Sequence, residues 1–111
     1  MLKPPPLKTD TVTFSFQYRY EIKRDYPRVM HGAFEDADGK RAVFLVNLSD
    51  EKEACTLDLR GFAGARRHLS QCRLEEGKIV RTDMKFTDAL ALTLAPLEVM
   101  YVEFGFPQPA R

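Results

Sequence analysis

Two histidines, two cysteines and sixteen carboxylates are the groups of this chain that could carry nucleophilic or proton-transfer chemistry. Acyl transfer needs a nucleophile, a base and an orienting group held close together, so the base would be His31 or His68. His31 stands inside an apolar run, the setting of a hydrogen-bonded structural histidine, and His68 follows Arg66-Arg67 and reads as solvated. Cys72 would reach His68 only if that segment were helical, and no GxSxG nucleophile elbow occurs. Glycoside cleavage needs two carboxylates facing each other across about 5–10 Å. Asp36, Asp38, Asp50, Glu51, Glu75 and Glu76 all fall in turn segments, where solvated charge is the ordinary state.

Metal chemistry finds no better footing. Asp36-Ala37-Asp38-Gly39 opens like a calcium loop, but EF-hand spacing would then put Phe34 at the first ligand position and Leu45 at the bidentate one. There is no Cys/His cluster of zinc spacing, and the six glycines are dispersed rather than gathered into a phosphate loop. The expectation is a chain with no catalytic, metal-binding or cofactor-binding residue, which is not an enzyme by itself. For sugar binding, tryptophan is absent and most aromatics alternate along strand-like runs. Tyr26, the aromatic in a connecting segment, is the candidate sugar contact, against the plainer reading of a packed loop tyrosine.

The elements that would position any site are strands. Residues 28–52 form the organising stretch: an apolar run up to Phe34, Asp38-Gly39, an unbroken apolar run from Ala42 to Leu48, then a polar turn. Asp-Gly between two apolar runs predicts a β-hairpin with a type I′ turn, expected in the middle of a sheet. In residues 11–22, Val12, Phe14, Phe16, Tyr18, Tyr20 and Ile22 alternate strictly with polar residues, which predicts one strand with a buried face. Residues 23–27 read as a polar connection. Further strands are expected over 55–60, 66–74, 79–86, 89–94 and 97–104, with a flexible joint at 61–65. The fold class is therefore all-β, an antiparallel β-sandwich of about eight strands, Greek-key-like. Residues 1–10, with Pro4-Pro5-Pro6, read as a proline-rich linker, 11–105 as the sandwich and 106–111 as a tail.

Two of these strands are apolar on both faces. Ala42, Phe44, Val46 and Leu48 alternate with Val43 and Leu45, and Leu97, Val99 and Tyr101 alternate with Met100, Val102 and Phe104. A surface strand of an isolated sandwich should keep one wet face, so something is expected to cover this sheet. Val43, Leu45, Met100 and Val102 are the candidates for the covered docking face, although period two separates the two sets without saying which points inward. A charge at Leu45 is then expected to weaken docking and spare the fold; unfolding would instead place Leu45 in the core.

The totals bound the partners. A chain of 111 residues with 44% hydrophobic and 30% charged residues is one ordinary globular domain. A net charge of +1 with interleaved signs offers no footprint for nucleic acid or an anionic membrane. No run approaches the roughly 20 apolar residues of a membrane span, and the first ten residues lack the apolar segment of an export signal. Cys55 and Cys72 could form one disulfide, but plain buried thiols are the favoured reading.

One stretch resembles a known family. The run Pro27-Arg28-Val29-Met30-His31-Gly32-Ala33-Phe34, then Asp38-Gly39, then Ala42-Val43-Phe44-Leu45-Val46-Asn47-Leu48-Ser49-Asp50-Glu51 and Cys55-Thr56-Leu57-Asp58-Leu59 resembles the C-terminal β-sandwich of bacterial glycoside hydrolases. Leu94-Ala95-Pro96-Leu97-Glu98-Val99 is similar to that domain's last strand, and Met1-Leu2-Lys3-Pro4-Pro5-Pro6 to the connector leaving the catalytic (β/α)8 barrel. The resemblance implies a non-catalytic accessory domain that packs against and stabilises the catalytic (β/α)8 domain of a parent chain. It carries over no catalytic residue, since those belong to the barrel. Two other expectations stand beside it: a free-standing carbohydrate-binding module, and a self-associating domain that forms a homodimer.

Overall fold

The computed structural model describes residues 2–9, 11–17 and 19–106. Its strands are β1 (Leu7–Lys8), β2 (Thr11–Gln17), β3 (Glu21–Pro27), β4 (Val29–Glu35), β5 (Arg41–Asn47), β6 (Glu53–Asp58), β7 (His68–Glu75), β8 (Lys78–Met84), β9 (Ala89–Leu94) and β10 (Val99–Gly105). Every pairing is antiparallel. A five-stranded sheet of order β4-β5-β10-β7-β8 faces a three-stranded sheet of order β1-β6-β9, and β2-β3 form a separate ribbon. The expected all-β sandwich is therefore present. The chain crosses between the two main sheets at β5–β6, β6–β7, β8–β9 and β9–β10, which inserts β10 between β5 and β7.

The core follows from period-two alternation on two facing sheets. Cys55, Leu57, Leu90, Leu92 and Leu94 of the smaller sheet meet Val29, Ala33, Val43, Leu45, Leu69, Met100, Val102 and Phe104 of the larger one. The β6–β7 connection closes one end. Leu59, Phe62 and Ala63 are buried, and the Phe62 ring meets Phe104 edge-on at 5.4 Å. Arg41 Nη1 donates to Phe62 O at 2.6 Å, so the joint expected at 61–65 is anchored in the core through Phe62 and Ala63.

Val43, Leu45, Met100 and Val102, named above for the covered face, are each 0% exposed inside this core. They face the smaller sheet, so no neighbour can cover them. Parity grouped them correctly, but the expectation of a covered docking face put them on the wrong side, because both alternating sets are apolar.

Three further expectations change. The hairpin β4-β5 holds an edge of its sheet, and the middle strand is β10. The Asp38-Gly39 turn has positive φ only at Gly39, with Asp36 Oδ1 accepting from the Asp38 and Lys40 amides at 2.9 Å each. The two-residue turn with positive φ at both positions is Glu76-Gly77, between β7 and β8. Finally, the long alternation of 11–22 is not one strand: it is broken by the turn between β2 and β3, and residues 23–27 continue β3. Tyr18 and the side chains of Val12, Phe14, Phe16 and Ile22 lie outside the described residues, as do 107–111 of the expected tail.

The proline-rich stretch is tied to both sheets. Leu2 bridges to Ala33 on the edge of β4, His31 Nε2 donates to Pro5 O at 2.6 Å, and Leu7–Lys8 adds an edge strand to β6. His31 is thus the structural histidine its apolar setting suggested.

Candidate surface on the outer face of the five-stranded sheet

The outer faces of the two sheets differ. On the smaller sheet the outward positions are Ala54, Thr56 and Asp58 on β6 and Ala89, Ala91 and Thr93 on β9, all small or polar. On the larger sheet the register sets outward residues into rows across the strands. Met30, Val46 and Val99 form an entirely apolar row. Gly32, Phe44, Tyr101, Cys72 and Arg81 form the next. Phe34, Ala42, Glu103, Ser70 and Asp83 form the third. Of these, Met30 is 52% exposed, Val99 47%, Phe34 44% and Tyr101 44%.

Gly32 shapes this surface. A Cβ built there would lie 2.3 Å from the tip of the Phe44 ring, so the ring covers the glycine and lies along the sheet. The apolar surface continues across β4, β5 and β10 because no side chain at position 32 interrupts it.

The second and third rows and the adjoining turn line a groove of about 670 Å³. Its floor is made of small buried residues, Ala42, Ser70 and Cys72, with larger side chains standing around them. Arg81 spans the floor: Nη1 reaches Glu103 Oε2 at 2.7 Å and Nη2 reaches Oε1 at 3.4 Å. Ser70 Oγ donates to Asp83 Oδ1 at 3.0 Å, and His68 Nε2 lies 3.4 Å from the same oxygen. The Phe106 ring is held between the Arg66 guanidinium, 5.1 Å from its centroid, and Gly39.

The groups that might have done covalent chemistry are now placed. His68 and Cys72 both line the groove but stand four residues apart on one strand. At about 3.3 Å per residue their backbones are about 13 Å apart, too far for direct proton transfer between the side chains. Burial pushes the Cys72 thiol above its ordinary pKa, with the Glu103 carboxylate adding to the rise, and burial pushes Cys55 up as well. Neither is a ready thiolate nucleophile at neutral pH. The two do not pair, since Cys55 points into the core and Cys72 lies in the outer row of the opposite sheet. Among the described residues no group of three or more His, Cys, Asp or Glu side chains is arranged to hold a metal ion.

Of the turn carboxylates, Asp36 caps its own turn, and Glu51 lies 3.5 Å from the Arg28 guanidinium. Asp58 is the clearest case outside them. Hydrogen bonds from the Arg60 side chain, at 2.6 and 2.9 Å, and from the Arg60 amide hold its carboxyl down at about 2. A depressed carboxylate pKa contributes stability above the unfolded value, lost as pH falls through the folded one. The window here runs from the ordinary carboxylate value of 3.8 down to about 2. An NMR titration should therefore give Asp58 a midpoint near 2, and Arg60→Gln should move it back toward 3.8. An unchanged midpoint in the variant would assign the shift to another group.

Tyr26, the sequence candidate for a sugar contact, lies on β3 opposite Val12 and is 47% exposed. It is not among the residues that line the groove. The exposed aromatics that line it, Phe34, Tyr101 and Phe106, were read from sequence as strand-face or tail residues. Only the order β4-β5-β10-β7-β8 brings them to one face with Arg81 and His68. Comparison of the chain with protein-family models, curated proteins and solved structures gives no match in any of the three.

Proposed function

We propose that this chain is a non-catalytic accessory β-sandwich of a larger glycoside hydrolase-like protein, docking on and stabilising the catalytic domain of the parent chain. The observation that supports this is the apolar row Met30, Val46 and Val99, continued by Phe44, on the outer face of one sheet while the outer face of the other is small and polar. A contiguous exposed apolar surface on one side of a small domain is the mark of a covered face. The occupant is a domain joined through the amino-terminal strap. Leu2 lies on the free edge of β4, the strand that carries Met30, so a domain attached there stands at the rim of the apolar surface. A short connection raises the effective concentration of the two faces without any added contact.

The test is a comparison of the full reading frame from the source with this chain alone, each carrying Val46→Asp. The isolated chain should melt as the parent sequence does. In the full-length protein the substitution should separate the two thermal transitions and lower the first. Equal melting of both full-length proteins, or a source frame without a preceding barrel, would overturn the docking reading.

A further inference from the structure

We propose that the groove at the Phe34–Tyr101–Arg81 end of the five-stranded sheet binds a neutral, polyhydroxylated ligand, the glycosyl units of an oligosaccharide chain. The inference stands on residues other than the Met30–Val46–Val99 row and does not depend on docking. It also moves sugar contact from Tyr26 to a different part of the molecule.

The argument begins with shape. Ala42, Ser70 and Cys72 are small, and each is under a tenth exposed, so they leave a floor below the level of Phe34, Tyr101, Ile79 and Arg81. The resulting volume of about 670 Å³ falls within the range of small-molecule sites. It is not an enclosed cavity, so it can admit a stretch of a chain as well as a single molecule.

Chemistry narrows the ligand class. Phe34 and Tyr101 offer ring surface for the apolar C–H face of a pyranose. The guanidiniums in the lining are already matched: Arg81 to Glu103, and Arg41 to Glu35 at 2.8 Å. Lys40 gives its backbone amide to Asp36 Oδ1 at 2.9 Å. At the guanidiniums an anion such as a phosphate would have to displace the Glu103 and Glu35 carboxylates, and a cation at the carboxylates would have to displace the guanidiniums. A hydroxyl displaces nothing, since it can accept from a guanidinium N–H and donate to a carboxylate oxygen at once. The Arg81–Glu103 pair presents both partners side by side, the spacing two neighbouring ring hydroxyls need. His68 and Ser70, each within reach of Asp83 Oδ1, add further polar groups to the lining.

The site is also preorganised. Phe106 is fixed between Arg66 and Gly39, and Arg66 is held in turn by Gly39 O at 2.5 Å and by Glu35 at 3.1 Å. A wall of this kind orders few side chains on binding, which favours affinity.

The experiment is an amide NMR titration of the isotope-labelled chain with maltotriose, cellotriose and xylotriose, and with inorganic phosphate as the charged control. Saturable shifts are expected with at least one trisaccharide at Ser70, Cys72, Arg81, Tyr101 and Glu103, and none with phosphate. Tyr101→Ala should weaken the binding about tenfold or more, Glu103→Gln should weaken it while keeping the folded spectrum, and Tyr26→Ala should leave it unchanged. Absence of saturable shifts with all three sugars, phosphate binding at the same residues, or full affinity in Tyr101→Ala would each overturn the proposal. The titration uses this chain alone, so its failure is separate from failure of the docking test.

Discussion

Leu45→Asp will abolish the folded state of this domain, while the same substitution one residue later, Val46→Asp, will leave it folded. The two positions are adjacent on β5 and differ only in the face they occupy. Leu45 is 0% exposed and pairs with Met100 across one ladder and His31 across the other, within the core cluster. A carboxylate there would lie in an all-apolar cluster, and an unpaired buried charge costs several kcal/mol even after relaxation. Loss of the leucine packing adds about 2–5 kcal/mol. Together these match the roughly 5–15 kcal/mol that holds a domain of this kind folded. Val46 is half-buried in the outer row with Met30 and Val99, where a carboxylate can reach water. Circular dichroism melts of the two variants decide the matter. A cooperative melt for Leu45→Asp with loss of docking would turn the sheet inside out and restore the assignment that parity alone suggested.

Asn47→Ala is expected to be the most destabilising polar substitution in the chain. Asn47 is fully buried, and its side chain ties together the two connections at one end of the sandwich. Nδ2 donates to Glu51 O at 2.7 Å and Ala95 O at 2.9 Å, with Leu94 O at 3.4 Å, while Oδ1 accepts from the Ser49 amide at 2.9 Å. Its backbone amide also donates to Glu98 O at 2.9 Å. Truncation removes the side-chain partners from both the β5–β6 and the β9–β10 turns. Each hydrogen bond contributes about 1 kcal/mol net, and each group left buried and unsatisfied costs about 1–3 kcal/mol. A loss of about 3–5 kcal/mol follows, with a fall in melting temperature of about 15 °C or more. Asn47→Asp should be at least as damaging, because it sets an acceptor against the Glu51 and Ala95 carbonyl oxygens. Urea unfolding gives the measure; a loss below about 1 kcal/mol would mean that water takes over the bonds.

The strands were legible where a local pattern had one physical cause. Residues 41–47, 53–58, 89–94 and 99–105 alternate because one side of each meets the core, and their strands stand within two residues of where the alternation placed them. The helical alternative for 66–74 fails for the same reason: Leu69 enters the core while Ser70 and Cys72 lie in the outer rows, which is period two. Turn residues were legible as turns but not by type. Asp38-Gly39 carries the hairpin signal, yet Asp36 caps a longer loop there, and Glu76-Gly77 makes the tight one. At residues 11–22 the alternation ran through a reversal, since a hairpin whose arms have the same parity looks like one long strand in sequence.

By itself, then, the amino-acid order determined an all-β chain, the place of most strands, the structural role of His31, and the presence of two strands apolar on both sides. Those follow from forces between near neighbours and from the need of alternate side chains to leave water. Tertiary structure alone decided which of the two apolar sets is the core, that Asn47 joins two turns, and that Phe34, Tyr101, Arg81 and Glu103 share a groove. These depend on the insertion of β10 between β5 and β7. That pairing brings together residues up to about sixty positions apart in the chain, beyond the reach of any local periodicity.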